Sequence, residues 1–563
     1  MTGADAATRR GFVRGLTQVR ALLPAPGDYR AARRTWRADL LAGLTVGIVA
    51  LPLALGFAVS SGVGAEAGLI TAIVAGVLAA VFGGSNVQVS GPTGAMVVIL
   101  LPIVAQHGAP AVAAVSVLAG GIVLVAGLLK MGRAVSFLPW PVIEGFTLGI
   151  AIIIFLQQVP LLALPHAVQA GRYSTNVVVA AAQSLGDATP GYLLWSAGAI
   201  AIVVACMVVA PRLHRALPGS LIGIVVVTLL TLVIPSPLAI IGALPSTLPT
   251  PALPSFDLHV LSQLALPALT VAALAAIESL LSARVAAGLA DTGRYDPDRE
   301  LVGQGIASIG SGLFGGMPAT GAIARTAVSV RAGGRTRIAS IIHALFLLLV
   351  VLVAAGPVGR IPLAALAAVL MVTAVRMVNV TSARAILRST RSDAAAFVIT
   401  ALITVSVDLI VAVGIGILCA GFFAIRSLSR DIGIHREPIA GPPRPGDGRI
   451  AVIRFDGPLF FAAADRVFDT VLRLDAVTVV ILRMSQLELV DATGAHILSD
   501  IVQTLERRGV TVLIKGVQPR HEELFRTVGV LASLRHHKHL FTDLDAAVAH
   551  ARSHIERQPA PNA

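Results

Sequence analysis

Fourteen apolar segments, most of them near twenty residues long, run between residues 40 and 427 of this 563-residue chain. That length is what an α-helix needs to cross the roughly 30 Å hydrocarbon core of a bilayer. Outer-membrane barrel strands are about half as long and alternate in polarity, so the reading is a helical polytopic membrane protein. The segments are 40–62, 66–83, 87–106, 109–130, 140–163, 192–210 and 217–235, then 264–285, 297–314, 319–330, 337–356, 362–378, 392–408 and 409–427. The gap at 236–263 holds no Lys or Arg. Only 13% of residues are charged, about half the share in a soluble chain. That excludes a cytosolic enzyme, a disordered scaffold and a secreted disulfide framework.

From the fourth segment on, base follows every even-numbered one. Lys130 and Arg133 come after the fourth, Arg212 and Arg215 after the sixth, and Arg284 after the eighth. Arg331, Arg335 and Arg337 follow the tenth, Arg376, Arg384, Arg388 and Arg391 the twelfth, and Arg426 and Arg430 the last. Eight more arginines, from Arg9 to Arg37, precede the first, where no apolar core of a cleavable leader is seen. By the positive-inside bias both termini are expected in the cytoplasm, with a multi-pass location in the inner (plasma) membrane. Seven segments per half force the halves into opposite orientations, the inverted-repeat plan of many secondary transporters.

The third segment of each half is broken by Gly and Pro. Phe82-Gly83-Gly84 precedes Pro92-Thr93-Gly94-Ala95, and Phe314-Gly315-Gly316 precedes Pro318-Ala319-Thr320-Gly321-Ala322. Such a corresponding pair marks a transport site. Helices starting near Gly94 and Gly321 point their N-termini at one another and form an anion site. Arg325, one turn on, adds a positive fork of donors or serves as a clamp between helices. Thr93 and Thr320 serve as hydroxyl ligands, as helix caps, or both.

Glu278 lies mid-way along the eighth segment, with Ser282 one turn on and on the same face. A charge at that depth is costly and marks function. It suits a proton carrier, a cation ligand joined by Ser282, or a static salt bridge to Arg325 or Arg284. Glu144 is expected near the inner surface and His343 as a satisfied core residue.

After about residue 436 the pattern changes to short apolar strands alternating with amphipathic helices, a small α/β domain. The expected organisation is an Arg-rich cytoplasmic segment at 1–37 and a transport domain at 38–430, with repeats at 38–235 and 264–428. A linker at 431–448 and the α/β domain at 449–556 complete it. The tail histidines His521, His536, His537, His539, His550 and His554 lack zinc-ligand spacing and are expected on a solvated surface. Cys206 and Cys419 are expected as small buried hydrophobes. No metal and no cofactor are expected. The net charge of +13 sits at helix ends without interleaved aromatics, which argues against nucleic acid as a partner. No nucleophile–base pair marks an enzyme.

The chain resembles the SulP sulfate-permease family, prokaryotic relatives of the solute carrier 26 anion transporters, from about 37 to 556. The resemblance rests on Asp39-Leu40-Leu41-Ala42-Gly43-Leu44-Thr45, Ala50-Leu51-Pro52, QVSGPTGAM (88–96), PVIEGFTLGIAI (141–152), the Glu278 helix and RTAVSVRAGGRT (325–336). The tail, with GPLFFAAADR (457–466) and Val490-Asp491-Ala492-Thr493-Gly494, looks like a STAS domain.

The resemblance implies fourteen spans in a core and a gate domain, a homodimer, and an anion held between the third and tenth segments. Thr93, Gly94, Ala95, Glu278, Thr320, Gly321, Ala322 and Arg325 fall on that site by position, and Phe57 on a pocket-lining aromatic. Three departures are informative. Leu53 replaces a polar Gln that many members carry after the first-segment proline. Glu278 stands where sodium-coupled bicarbonate members carry Asp, which leans toward protons. Ala492 replaces the phosphorylatable Ser of anti-sigma antagonists, although Thr493 remains, so the tail is expected to act in folding, assembly and docking of a cytoplasmic partner.

The expected function is proton-coupled symport of an oxyanion (sulfate, a dicarboxylate or bicarbonate). The alternatives are sodium-coupled bicarbonate symport, uncoupled exchange or a chloride pathway, and, from another class, a membrane-tethered docking protein whose tail does the work.

Overall fold

The computed structural model describes residues 22–133, 139–163, 174, 176–214, 217–254, 258–289, 293, 295–406, 409–430, 433–439, 442–461, 464–474 and 476–557. Arg9, Arg10, Arg14 and Arg20 of the expected N-terminal segment lie outside them. Two compact units divide near residue 417.

The first unit is helical. Its first repeat comprises α1 (Ala32–Ser60), α2 (Ala65–Phe82), β1 (Ser90–Gly91), α3 (Gly94–His107), α4 (Pro110–Leu128) and α5 (Trp140–Gln157, resumed at Val159–Ala163). Then come α6 (Val177–Gly186), α7 (Pro190–Leu213) and α8 (Gly219–Val233). The second repeat comprises α9 (Leu258–Leu289), α10 (Pro297–Leu313), β2 (Thr320–Gly321), α11 (Ile323–Arg331), α12 (Arg337–Gly359) and α13 (Leu363–Met377). It ends with α14 (Val380–Arg388), α15 (Arg391–Ser406) and α16 (Leu409–Arg430), a helix that runs across the division. Every expected apolar segment is a helix or, for the third and tenth, a strand followed by a shorter helix. Two helices were not expected, α6 and α14. α14 is amphipathic, and α6 is apolar but only ten residues long, so a search for apolar runs near twenty residues passes over both. In α14 Ile386 is the buried residue.

The chain breaks are not left unsatisfied. Backbone groups away from water must find partners inside the protein. Where α2 stops, Arg337 donates to the carbonyls of Ala80 and Gly83, and buried Glu300 accepts from the N–H groups of Gly84 and Ser85 at 2.8 and 3.0 Å. In the other repeat Ser308 Oγ bonds the backbone of Ala319, and Thr71 and Ser311 bond that of Met317. Asp39, in the first quoted motif, accepts from Arg335 N, Thr336 N and Thr336 Oγ1, tying α1 to the start of α12.

α4 and α10 pack backbone to backbone. A Cβ on Gly120 would stand 2.7 Å from the Gly305 carbonyl oxygen, and one on Gly305 would stand 2.6 Å from the Leu124 nitrogen. Cys206 and Cys419 are free and half-buried rather than buried, because their helices present one face outward.

The second unit is built on a five-stranded sheet in the order β3 (Gly433–Glu437), β4 (Ile450–Leu459), β5 (Val479–Val490), β6 (Thr511–Lys515), β7 (Leu540–Phe541). β3 is antiparallel to β4 and the others run parallel. A parallel sheet is covered on both faces. Here α17 (Ala464–Leu472), α18 (Ala492–Arg507) and α19 (Pro519–Val528) bury Ala451, Ile453 and Phe455, while α20 (Leu544–Arg557) buries Ile450 and Val452.

β3 lies inside the stretch 431–448 expected as linker. GIHRE has no apolar alternation to announce a strand; cross-strand charge holds it instead. Glu437 accepts from Arg454 at 2.7 Å and from Arg483 at 2.7 Å. Partial burial raises the Glu437 carboxyl, but its bonds to Arg483 and Arg454 outweigh this and hold it below its ordinary value of 4.5. A depressed carboxylate stabilises the fold fully above that ordinary value, and the contribution is lost as pH falls through the folded value. Glu437→Gln is therefore expected to lower hydrogen-exchange protection of the β3 amides about fivefold at pH 7, a screened effect of ~1 kcal/mol. The difference from wild type should vanish below the folded value.

Candidate functional site

β1 and β2 meet where the two breaks cross. Ser90 pairs with Gly321 and Gly91 with Thr320, and Ala322 N donates to Val89 O at 2.8 Å. Each strand leads into a helix, α3 after Thr93 and α11 after Ala322. Neither helix has a side-chain cap, although the first N–H groups of a helix have no partner within it. The positive ends of two helices from opposite repeats thus flank one strand pair.

Thr93 occupies the N-cap position, yet its hydroxyl is spent elsewhere. It donates to Glu278 Oε2 at 2.8 Å, and Thr320 Oγ1 donates to the same oxygen at 2.8 Å. The two hydroxyls are 3.3 Å apart. One carboxylate oxygen on α9 therefore gathers a threonine from each repeat. Thr93 and Thr320 are buried, while Glu278 keeps part of its surface accessible.

Arg325 is 2% exposed. Its Nη2 donates to Pro92 O at 2.6 Å, while Nη1 is buried without a partner, over Gly91. A Cβ on Gly91 would lie 2.8 Å from Nη1, so the close approach requires glycine. A Glu278–Arg325 salt bridge, one of the alternatives open to Glu278, does not form. The guanidinium reaches across to the other repeat's turn, and the carboxylate turns to the hydroxyls.

Phe57, in α1, packs at the start of α3, where its Cε1 lies 3.1 Å from the point a Cβ on Gly94 would occupy. Ala95 and Ala322 are buried in the first turns. Ser282 is not brought to the carboxylate. Its hydroxyl faces Thr326 Oγ1 at 3.4 Å. Glu144 accepts from Trp140 at the start of α5; His343 is fully buried beside Gly76 with no hydrogen-bond partner on either ring nitrogen among the described residues, so it is not the satisfied core residue expected.

Sequence reasoning missed the residues that fix the strands. Ser279 Oγ accepts from Gly321 N at 3.0 Å, Gln88 Nε2 donates to Ser279 O, and Gln304 Nε2 donates to Ser90 Oγ at 2.6 Å. Their signal was a polar residue in an apolar stretch that must satisfy broken backbone.

In the second unit Asp491 caps α18. Its Oδ1 accepts from Gly494 N at 2.7 Å and its Oδ2 from Phe461 N at 3.1 Å. Ala492 and Thr493 stand exposed at the helix start.

Residues 36–400 match the model of the sulfate permease family, and residues 442–547 that of the STAS domain. The "Putative sulfate transporter YvdB" of Bacillus subtilis is 34% identical over 506 residues, covering 88% of this chain and 94% of that protein. The solved transmembrane domain of a cyanobacterial bicarbonate transporter, BicA, superposes with a TM-score of 0.61 at 31% identity, over 68% of this chain and 98% of that one. The structure of the mouse solute carrier 26 member A9 anion transporter superposes with a TM-score of 0.77 over 92% of this chain and 91% of that one. At 18% identity, that likeness concerns the fold.

Proposed function

Because the chain belongs to the sulfate permease family, we propose that it is a proton-coupled symporter of a small oxyanion, working by alternating access. The family is one of sulfate and bicarbonate transporters, multi-pass membrane proteins and not enzymes. The observation that carries the coupling is the double donation of Thr93 and Thr320 to one oxygen of Glu278.

An oxyanion arriving between the two helix N-termini needs those same hydroxyls. It also meets the charge of Glu278. Two like charges about 4 Å apart, at an effective dielectric near 20, repel by on the order of 4 kcal/mol. That is roughly a thousandfold in affinity. A proton on Glu278 removes the repulsion and frees both hydroxyls to turn toward the anion. Arg325 and the helix ends then balance the anion's charge. After release the proton leaves and the carboxylate recaptures the threonines. Proton and anion are linked through shared donors, not through an ion pair with Arg325.

Sulfate, bicarbonate and a dicarboxylate all fit this donor set. The proposal places the chain in the inner membrane with both termini cytoplasmic, on the distribution of arginine. It also includes a homodimer and a cytoplasmic partner docking at the STAS domain, both on family resemblance. Sodium-coupled bicarbonate symport is the second reading, favoured by the likeness to BicA.

The test is uptake of labelled sulfate, bicarbonate and fumarate into proteoliposomes, under a pH gradient without sodium or a sodium gradient without a pH difference. Accumulation of one anion under the pH gradient is expected. Accumulation that requires sodium overturns the proton reading in favour of the second.

A further inference from the structure

Six tail histidines are spread over 34 residues of sequence, and the expectation was a solvated surface. The fold brings three of them together. His550 and His554 are one turn apart on α20, with their Nε2 atoms 3.3 Å apart. His539, at the end of the turn His537–His539, completes the group. One ring nitrogen from each of the three lies within 4.8 Å of the others. His539 is only 4% exposed, and its Nδ1 is buried with no hydrogen-bond partner.

We propose that the STAS domain binds one divalent transition-metal ion, zinc in class, through His539, His550 and His554. At zinc–nitrogen distances of about 2.0–2.1 Å, the edge of a tetrahedron is about 3.3–3.4 Å. The His550–His554 separation already matches it, and His539 has to close by no more than about 1.5 Å. A set of imidazoles without carboxylate or thiolate selects zinc-like ions over magnesium and calcium. The fourth position is left to water.

A bound ion would tie α20, which covers one face of the sheet, to the turn before β7.

The test uses the full-length, tag-free chain in detergent, stripped with chelator and titrated with zinc alone against a chromophoric competitor. Wild type is expected to bind one more equivalent than His550→Gln/His554→Gln, whereas His435→Gln, outside the cluster, binds like wild type. Equal binding by wild type and the double variant overturns the proposal and leaves the 3.3 Å contact as a hydrogen bond between two imidazoles. A readout on wild type alone guards against a misfolded variant. At zinc ten times above its dissociation constant, amide exchange across 544–557 is expected to slow about tenfold. Unchanged exchange there overturns the proposal as well.

Discussion

Glu278→Gln is expected to abolish anion accumulation driven by a pH gradient while leaving downhill exchange of the same anion intact. The amide that replaces the carboxyl would be neutral at every pH, so the repulsion that links anion to proton is gone. Its oxygen accepts from Thr93 and Thr320 in the empty site, and being neutral it yields both hydroxyls to the arriving anion as the protonated carboxyl does. In wild type the anion affinity should rise as pH falls, by up to tenfold per pH unit where one proton accompanies one anion. In the variant that slope should flatten to zero, with affinity near the wild-type acid limit. Binding measured by calorimetry from about pH 5 to about pH 9, beside counterflow in proteoliposomes, separates the two effects. A variant that still accumulates anion under the pH gradient would place the proton elsewhere.

Arg325→Met is expected to remove transport in both modes. The substitution keeps much of the length of the side chain but deletes the buried charge and the donor to Pro92 O. Removing one partner of a buried charged contact costs about 2–5 kcal/mol, so anion affinity should fall from roughly thirtyfold to several thousandfold. Arg325→Lys supplies the charge without the fork and should fall between. The contrast with Glu278→Gln is diagnostic. Losing the carboxylate uncouples, whereas losing the guanidinium empties the site. Wild-type binding by Arg325→Met would reduce that residue to a clamp between helices.

The spans were legible because a bilayer imposes a length and an apolarity that few other environments demand. The breaks were legible because glycine and proline recur at matching places in both halves. The wiring was not. Whether Glu278 meets Arg325 or two threonines depends on which way side chains turn across a strand pair, and no spacing within one helix encodes that. Ser282 was placed beside Glu278 by helical periodicity, yet a turn of a helix is wide enough for it to face Thr326 instead. Ser279, adjacent in sequence, became the anchor of β2. β3 escaped because charge, not apolar alternation, holds it. The histidine cluster escaped because only His550 and His554 are neighbours on one helix, and His539 joins them once the turn before β7 meets α20.

The glycine seam between α4 and α10 bears on how such a molecule yields to load. Most helix pairs touch through side chains, whose rotamers act as soft bearings that allow sliding and rolling. Where Gly120 meets Gly305 the backbones themselves are in contact, and nothing is left to give. That pair is a stiff strut. Compliance is then expected in joints lined by larger residues.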